Sequence, residues 1–376
     1  MTLKKKKMNG ENDFSRLELN LSACENNYHY FRGLLNPETK LLVLVKANAY
    51  GHGAVEFASM MQRLGADYLA VALPVEGIEL RKAGISLPIL VLTAGTDYMS
   101  EIIDYRLEPG IPNLSTLAAL EEKLEEKGIS EYPIHLKLDT GMHRLGFMED
   151  ELDECLDFLA KHPRIQVKSV YSHLAAAEDP ESDDFTRAQI ELFTRMAEKV
   201  SARCADKPMW HILNSAGIER FTSYQFDMVR LGIGIYGISA LKDVHLMPVA
   251  SFKVKILQLK HLLPKDGAIG YGRKGRIAPE GTTIATIPAG YADGVDRHLG
   301  RGAASFNIKG HRAPTIGNIC MDMCMLDVTG LDVQVGDTVT IFGEDPRVEE
   351  LAEILGTIPY EILSSIPHRI ERIIIK

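Results

Sequence analysis

Three things are scarce in this 376-residue chain, and each scarcity argues against a class of protein. Cysteine is the first. Cys24, Cys155, Cys204, Cys320 and Cys324 make an odd number with no Cys-x-x-Cys spacing, so neither a disulfide framework nor a structural zinc site is indicated. Cys320 and Cys324 are expected to face the same side of one strand and to serve packing. Long apolar runs are the second. None approaches the roughly 20 residues a membrane helix requires, and the N-terminus lacks the apolar core of a signal peptide. A cytoplasmic protein that contacts no membrane is expected. Positive charge is the third: the formal net charge is -9 and the pI near 5.8, which argues against nucleic acid or an anionic bilayer as partner. The one basic run is Lys4 to Lys7, beside the polar MNGEND, and residues 1–14 read as a solvated, disordered tail.

What is present is a 45% hydrophobic, 25% charged chain, long enough for two domains. From residue 41 to about 237, short apolar runs alternate with helix-like segments such as AVEFASMMQRLG, PVEGIELRKAG, LSTLAALEEKLEEKG and FTRAQIELFTRMAEKVSARC. The spacing predicts strands at 41–46, 67–72, 88–93, 107–111, 133–138, 165–173, 209–213 and 227–231. Eight such units in roughly 200 residues fit an α/β fold, a compact (β/α)8 TIM-like barrel, with a doubly wound open sheet as the other pattern-compatible topology. After about 245 the character changes: FKVKILQLKHL, TTIATIPAG, ICMDMCMLDV, DTVTIFG and RIERIIIK are β-rich and Gly/Pro-punctuated, with VEELAEILG as the one long helical pattern. The division predicted is therefore a barrel over 15–245 and a C-terminal, mostly-β domain over 246–376. Within SRLELNLSACENNYHYFRGLL, the first strand is expected to pair in that β domain and the rest to form a helix leading into the barrel.

The stretch LLVLVKANAYGHG carries the functional question. Five aliphatic residues run into Lys46, so an ammonium is placed where a buried strand ends. Alone, such a lysine reads most simply as a surface charge. Other strand ends are polar too: Asn48, Lys137, Asp139, Arg144, His173, Asn214, Ser215 and Arg230 all follow apolar runs. Asn214-Ser215 and LGIGIYG at 231–237 fall after the seventh and eighth strands, where barrels of this kind commonly bind phosphate through backbone N–H groups. A lysine that can form a Schiff base and a phosphate site together suggest pyridoxal 5′-phosphate.

The segments VKANAYGHG at 45–53, KLDTGMHRLG at 137–146, SH at 172–173, LNSAG at 213–217, VRLGIGIYG at 229–237, IGYGR at 269–273, AGYADG at 289–294 and ICMD at 319–322 together resemble the alanine racemases. The matches run in order and cover nearly the whole chain from about residue 15. The resemblance implies a fold-type III pyridoxal-phosphate enzyme that is a homodimer, acts on alanine and supplies D-alanine for peptidoglycan. Lys46 would carry the cofactor and act as the base on the D-face of the substrate, and Tyr271 of the partner subunit would act on the L-face. Tyr50, Asn214, Ser215 and the backbone of Gly232 and Ile233 would hold the phosphate end, with His173 beside the cofactor and Arg230 facing its ring nitrogen. Arg144 would meet the cofactor oxygen and the substrate carboxylate, braced by Lys137, which many relatives carbamylate. Met321 of the partner subunit would offer its backbone N–H to the carboxylate. Tyr291 and Arg297 would line the access corridor, with an acidic residue at Glu178 or Asp179. Arg230 and His173 are expected to lower the pKa of Tyr271 by their positive charge.

One departure is His368, in SSIPHR, where relatives place a tyrosine before the arginine; it puts strict alanine specificity in doubt. Two other activities share the fold. A basic amino-acid decarboxylase would carry a glutamate where Arg230 stands and a glycine triplet at the phosphate loop, which LGIGIYG is not. A non-catalytic pyridoxal-phosphate carrier would lack residues 246–376 and Tyr271. A racemase of broader specificity remains the alternative nearest in chemistry.

Overall fold

The computed structural model describes residues 14–375, so the basic run at Lys4 to Lys7 and the tail it was read into lie outside the described part, save for Phe14. Two compact units form, one from residues 25–246 and the other from residues up to 24 together with those from 247 onward. The chain enters through β1 (Ser15–Asn20) and the helix Leu21–Gly33.

The first unit holds eight parallel strands: β2 (Lys40–Leu44), β3 (Tyr68–Val71), β4 (Ile89–Val91), β5 (Glu108–Ile111), β6 (Tyr132–Lys137), β7 (Ile165–Tyr171), β8 (Met209–His211) and β9 (Met228–Leu231). Their order, β8-β7-β6-β5-β4-β3-β2-β9, leaves β8 and β9 as the free edges. Those edges meet through backbone bonds from Asp227 N–H to the Trp210 carbonyl at 3.2 Å and from Arg230 N–H to the Leu213 carbonyl at 3.0 Å, which close the sheet into a barrel. The apolar runs become strands because helices such as Ala54–Leu64 and Asp183–Ser201 cover the outside while the inside is filled by side chains. In β2 and just beyond it, Leu41, Leu42, Val43 and Val45 are fully buried. All eight expected strands form, most a residue or two shorter than the apolar runs, in several cases because the run continues past the last ladder bond into the loop that carries polar side chains.

The second unit is a nine-stranded sheet in the order β11-β12-β15-β14-β13-β16-β10-β1-β17. Besides β1 it comprises β10 (Ala250–Lys255), β11 (Gln258–Leu262), β12 (Thr282–Ile287), β13 (Ser305–Ile308), β14 (His311–Ile316), β15 (Cys324–Asp327), β16 (Thr338–Phe342) and β17 (Glu371–Ile375). β1 pairs antiparallel with β10 and parallel with β17. The helices Val348–Leu355 and Pro359–Ser364 complete the unit. One expectation fails here. ICMDMCMLDV is not a single strand: only Cys324–Asp327 pairs, and Cys320 lies in the preceding loop, its N–H donating to the Met323 carbonyl at 2.9 Å. Cys320 and Cys324 therefore do not share a strand face.

Candidate active site

Strand β2 ends at Leu44, and the chain then does something its composition does not announce. Ala47, Asn48, Ala49 and Tyr50 all adopt left-handed conformations, with φ between 51° and 54°. Each such residue costs an L-amino acid about 1–2 kcal/mol. The turn persists because its polar groups are tied down. Ala49 N–H donates to the Val45 carbonyl at 2.9 Å, Gly51 N–H to Ala47 at 3.0 Å, and Asn48 accepts from Ala54 N–H through its side chain at 2.9 Å. Glu76, in the first turn of the helix Pro74–Lys82, accepts from Ala47 N–H at 2.6 Å and from Ala72 N–H at 2.7 Å. Strain held this way marks a position fixed for a purpose. The turn starts at Lys46, whose half-buried ammonium has a pKa pushed below the ordinary lysine value, by burial first and by Arg144 second, against the opposing pull of Glu76.

Beside this turn, Tyr50 packs against Tyr236 with ring centroids 4.7 Å apart, and Tyr236 donates its hydroxyl proton to the Leu44 carbonyl at 2.9 Å. The Tyr50 hydroxyl reaches Gly232. A Cβ at that glycine would stand 3.0 Å from the hydroxyl oxygen of Tyr50 and 3.8 Å from Ser215 Oγ, so the missing side chain leaves a small space between the two hydroxyls. Ser215 Oγ accepts from Gly232 N–H at 2.9 Å and from Gly234 N–H at 3.2 Å. Ile233 follows in the same turn, and Asn214 caps the helix Ser215–Arg220 by accepting from Gly217 N–H. Tyr50, Ser215, Gly232 and Ile233 are thus brought together, while the Asn214 side chain is engaged in the cap.

Arg230 on β9 is 3% exposed. Its guanidinium donates to the carbonyls of Ser172 (2.6 Å), Ile212 (2.9 Å) and His211 (3.0 Å), and to the Nδ1 atoms of His211 (3.0 Å) and His173 (3.1 Å). Every one of these acceptors is neutral, and burial lowers the Arg230 pKa to about 10, which still leaves it charged at neutral pH. Lys137 at the end of β6 lies 4.8 Å from the centre of the Tyr171 ring. Burial, then Arg230 and Arg144, hold its ammonium well below the lysine range, with Asp139 opposing. Arg144 is exposed on the loop after β6, whose start is organised by Asp139 accepting from Gly141 and His143 N–H at 3.0 Å each.

Two arginines and two lysines lie within electrostatic reach of His173. Burial, Arg230, Lys137, Arg144 and Lys46 together drive its pKa well below the usual imidazole value. His173 is therefore neutral, and the expectation that it adds positive charge near Tyr271 is wrong; Arg230 remains the charged group. Asp179 is used locally, accepting from Glu181 N–H at 3.0 Å and from the Ser182 hydroxyl at 2.7 Å, and Glu178 is exposed beside it.

The β-rich unit carries the other predicted residues. Tyr271 sits at the tip of a loop closed by paired Ile269–Gly275 backbone bonds of 3.0 Å, and Asn318 donates to its carbonyl at 2.8 Å. Gly270 permits this loop: its φ is 73°, and a Cβ there would meet Met325 Cε at 2.9 Å. The Tyr271 side chain is 72% exposed and Met321 is 54% exposed. Tyr291 N–H donates to the Cys320 carbonyl and Ala292 N–H to Met321, each at 3.0 Å, and Arg297 lies near enough to Cys320 to oppose the upward push that burial gives its thiol. Arg369 donates to Asp293 at 2.7 Å and to Asp322 at 2.9 Å, which fixes the backbone next to exposed His368 against these loops.

Sequence reasoning passed over Glu76, Tyr171 and His211. His211 stands inside the apolar run 209–213, followed by Ile212 and Leu213, so the strand-end criterion does not select it. Glu76 and Tyr171 carried no signal either. Among the described residues no helix is long and apolar enough to cross a membrane and no cluster of metal-ligating side chains forms.

Comparison with known proteins shows the family. Residues 19–240 match the model for the N-terminal domain of alanine racemase, and residues 249–374 match that for its C-terminal domain. The chain is similar to the alanine racemase of Methanococcus maripaludis, 37% identical over 95% of this chain and 97% of that protein, and to that of Synechocystis, 36% identical over 96% and 98%. Among solved structures it is similar to alanine racemase from Clostridium difficile (TM-score 0.90, 34% identity, 96% of this chain and 95% of that one). It is also similar to alanine racemase from Bacillus anthracis with bound L-Ala-P (TM-score 0.86, 30% identity, 96% and 95%). With both domain models matched in order and relatives aligned over nearly their full length, the chain belongs to the alanine racemase family.

Proposed function

We propose that this chain interconverts L- and D-alanine by a two-base route, in which Lys46 serves the D-face of the substrate and Tyr271 of the partner subunit serves the L-face. The observation that supports it most directly is the buried Arg230, which donates to the neutral His173 while Arg144 and Lys46 lie within electrostatic reach of the same imidazole, a basic floor at the strand ends. Such a floor suits a substrate carboxylate and a phosphorylated cofactor.

Alanine racemases depend on pyridoxal 5′-phosphate, and the residues fit it. The space left at Gly232 lies between two hydroxyls, with backbone N–H groups at hand, and Lys46 is an amine whose pKa is already lowered. Tyr50, Ser215, Gly232 and Ile233 would hold the phosphate, His173 and Asn214 would support it, and Lys46 would carry the aldehyde end. Once bound, the cofactor supplies the electron sink that lets the α-proton leave.

The chain's own groups account for the rest. A lysine whose pKa is lowered releases its proton more readily than an ordinary one, and as the free amine it can take or return a proton at Cα. Arg230 has no acceptor atom, so it cannot hold a ring nitrogen protonated as a carboxylate would. That restraint favours simple reprotonation over transamination or loss of CO2. Arg144 and the backbone N–H of Met321 of the partner subunit would orient the carboxylate. Lys137, whose pKa burial lowers, gives up its proton more readily than an ordinary lysine; its free amine can add CO2 with release of a proton, and the resulting carbamate would give Arg144 an anionic partner. Tyr291, Arg297 and His368 would border the access path. The protein would work in the cytoplasm as a homodimer, supplying D-alanine for peptidoglycan.

Incubation of the cofactor-loaded protein with L-alanine in D2O is the test. D-Alanine carrying deuterium at Cα is expected; exchange without inversion would remove the second base, and release of CO2 would favour a decarboxylase. L-Serine and L-lysine run in parallel would show whether His368 widens the specificity. The composite site predicts that mixing Lys46→Ala and Tyr271→Phe chains restores activity at about one site in four, since only mixed dimers carry one intact pair. No restoration would refute it.

A further inference from the structure

The interior of the barrel contains a row of polar side chains of which the two-base route uses Arg230 alone. Glu108 on β5, His135 on β6, Ser169 on β7, His211 on β8 and Arg230 on β9 come from five consecutive strands in sequence. His135, Ser169 and His211 are fully buried. They are joined end to end. Glu108 Oε2 lies 2.7 Å from His135 Nε2, His135 Nδ1 lies 2.5 Å from Ser169 Oγ, Ser169 Oγ lies 2.8 Å from His211 Nε2, and His211 Nδ1 lies 3.0 Å from Arg230 Nη1.

The two ends fix the direction of every bond between them. A guanidinium has donors only and an ionised carboxylate has acceptors only. His211 Nδ1 must therefore accept from Arg230, which puts the His211 proton on Nε2. That N–H donates to Ser169 Oγ, the single Ser169 hydroxyl proton goes to His135 Nδ1, and the His135 proton on Nε2 goes to Glu108. An alternative with His135 doubly protonated would make Ser169 accept from both sides. Among the described residues the two histidines are the hydrogen-bond partners of Ser169 Oγ, so its own proton would then be buried without an acceptor, a cost of about 1–3 kcal/mol. The carboxylate end is itself held: Tyr68 hydrogen-bonds to Glu108, and Arg81 lies within electrostatic reach of it.

We propose that Glu108 is a positioning residue for Arg230: through His135 and Ser169 it sets the tautomer of His211 so that Nδ1 faces the guanidinium as an acceptor. Its bearing on catalysis rests on the role given to Arg230 above. A carboxamide at 108 can turn its N–H toward His135 Nε2. That would reverse the row, place a proton on His211 Nδ1 and set one donor against another at Arg230 Nη1. The guanidinium would lose one of its five acceptors and with it the fixed plane it presents.

Neutron diffraction from perdeuterated crystals of the cofactor-loaded enzyme tests the row directly. Deuterium on Nε2 of both His135 and His211 is expected in the wild type, and deuterium on His211 Nδ1, in whole or part, in Glu108→Gln. A doubly deuterated His135 in the wild type, or a His211 tautomer unmoved in Glu108→Gln, would overturn the proposal. In the same variant kcat for alanine should fall about tenfold with KM little changed, and Glu108→Asp should restore part of it. A tautomer that switches while kcat and the ratio of racemisation to transamination stay fixed would support the row and place the fault in the ring-nitrogen role of Arg230. If Glu108→Gln does not fold, the wild-type deuterium positions alone still decide.

Discussion

The two units present their functional side chains in opposite ways. In the barrel, Arg230 is 3% exposed and held by five acceptors, and Lys46 starts a strained turn tied down by Glu76 and Asn48. In the β-rich unit, Tyr271 and Met321 are more than half exposed, and what is fixed is the backbone that carries them. The chain thus prepares the chemistry of its first half by burial, which lowers the pKa of Lys46 and keeps His173 neutral. Its second half is prepared only in position. A tyrosine standing in solvent has no proton-transfer environment of its own within its unit, and the proposed two-base route assigns that environment to a second copy of the chain.

The largest effect should come from the prepared half. Lys46→Ala removes both the amine that carries the cofactor and the D-face base, and a fall of about 10³-fold or more in racemisation is expected in a chirality assay. Retention of a tenth of the activity would mean that the strained turn positions something other than a catalytic amine. Tyr271→Phe should cost about 10²- to 10⁴-fold in racemisation but unevenly: D-alanine should still exchange its α-proton with D2O through Lys46, while exchange from L-alanine stops. Equal loss from both enantiomers would erase the division of faces and with it the contrast between the two units.

A smaller effect belongs to the space at Gly232. A methyl group there comes within 3.0 Å of the Tyr50 hydroxyl, and either Tyr50 or the phosphate must yield. Gly232→Ala should weaken cofactor binding by about 1–3 kcal/mol, roughly ten- to a hundredfold in an absorbance titration, with kcat at saturating cofactor little changed. Unchanged affinity would place the phosphate away from this loop.

Much of this was legible in the sequence because parallel strands buried on both faces read as uninterrupted aliphatic runs, and the barrel puts function where such runs stop. Lys46, Arg230 and Ser215 could be picked out for that reason. The left-handed turn could not. KANAY has no glycine, and only Asn48 tolerates that conformation well, so the turn is imposed by contacts with residues such as Glu76, far along the chain. The charge state of His173 is not legible because it depends on burial and on basic groups from the ends of β2 and β6, the loop after β6 and β9, none adjacent to it in sequence. The row from Glu108 to Arg230 is hidden for the same reason: each member looks like an isolated polar residue within its own strand. Cys320 was assigned to a strand because alternation continues beyond the point where Cys324 begins to pair.

The buried histidines also give the barrel a pH dependence. His173 and His211 have pKa values well below the ordinary imidazole value. Burial is the main cause for both, with Arg230, Lys137, Arg144 and Lys46 acting on His173, and Arg230, His135 and Lys137 on His211. The unfolded chain takes up their protons near pH 6.5 while the folded chain does not, so the unfolded state binds more protons below that value. Stability is therefore full above about pH 6.5 and is lost as pH falls, by up to about 1.4 kcal/mol per pH unit for each histidine. Urea midpoints at pH 7.0, 6.0 and 5.5 should decline in that order, and His173→Asn should flatten the decline. The range stays above the ordinary carboxylate pKa, so Asp139, whose carboxyl is held below its usual value by two backbone N–H groups and His143, does not enter. A midpoint constant between pH 7.0 and 5.5 would mean that these imidazoles accept protons in place, and the neutral acceptors that hold Arg230 would then be lost well before the protein unfolds.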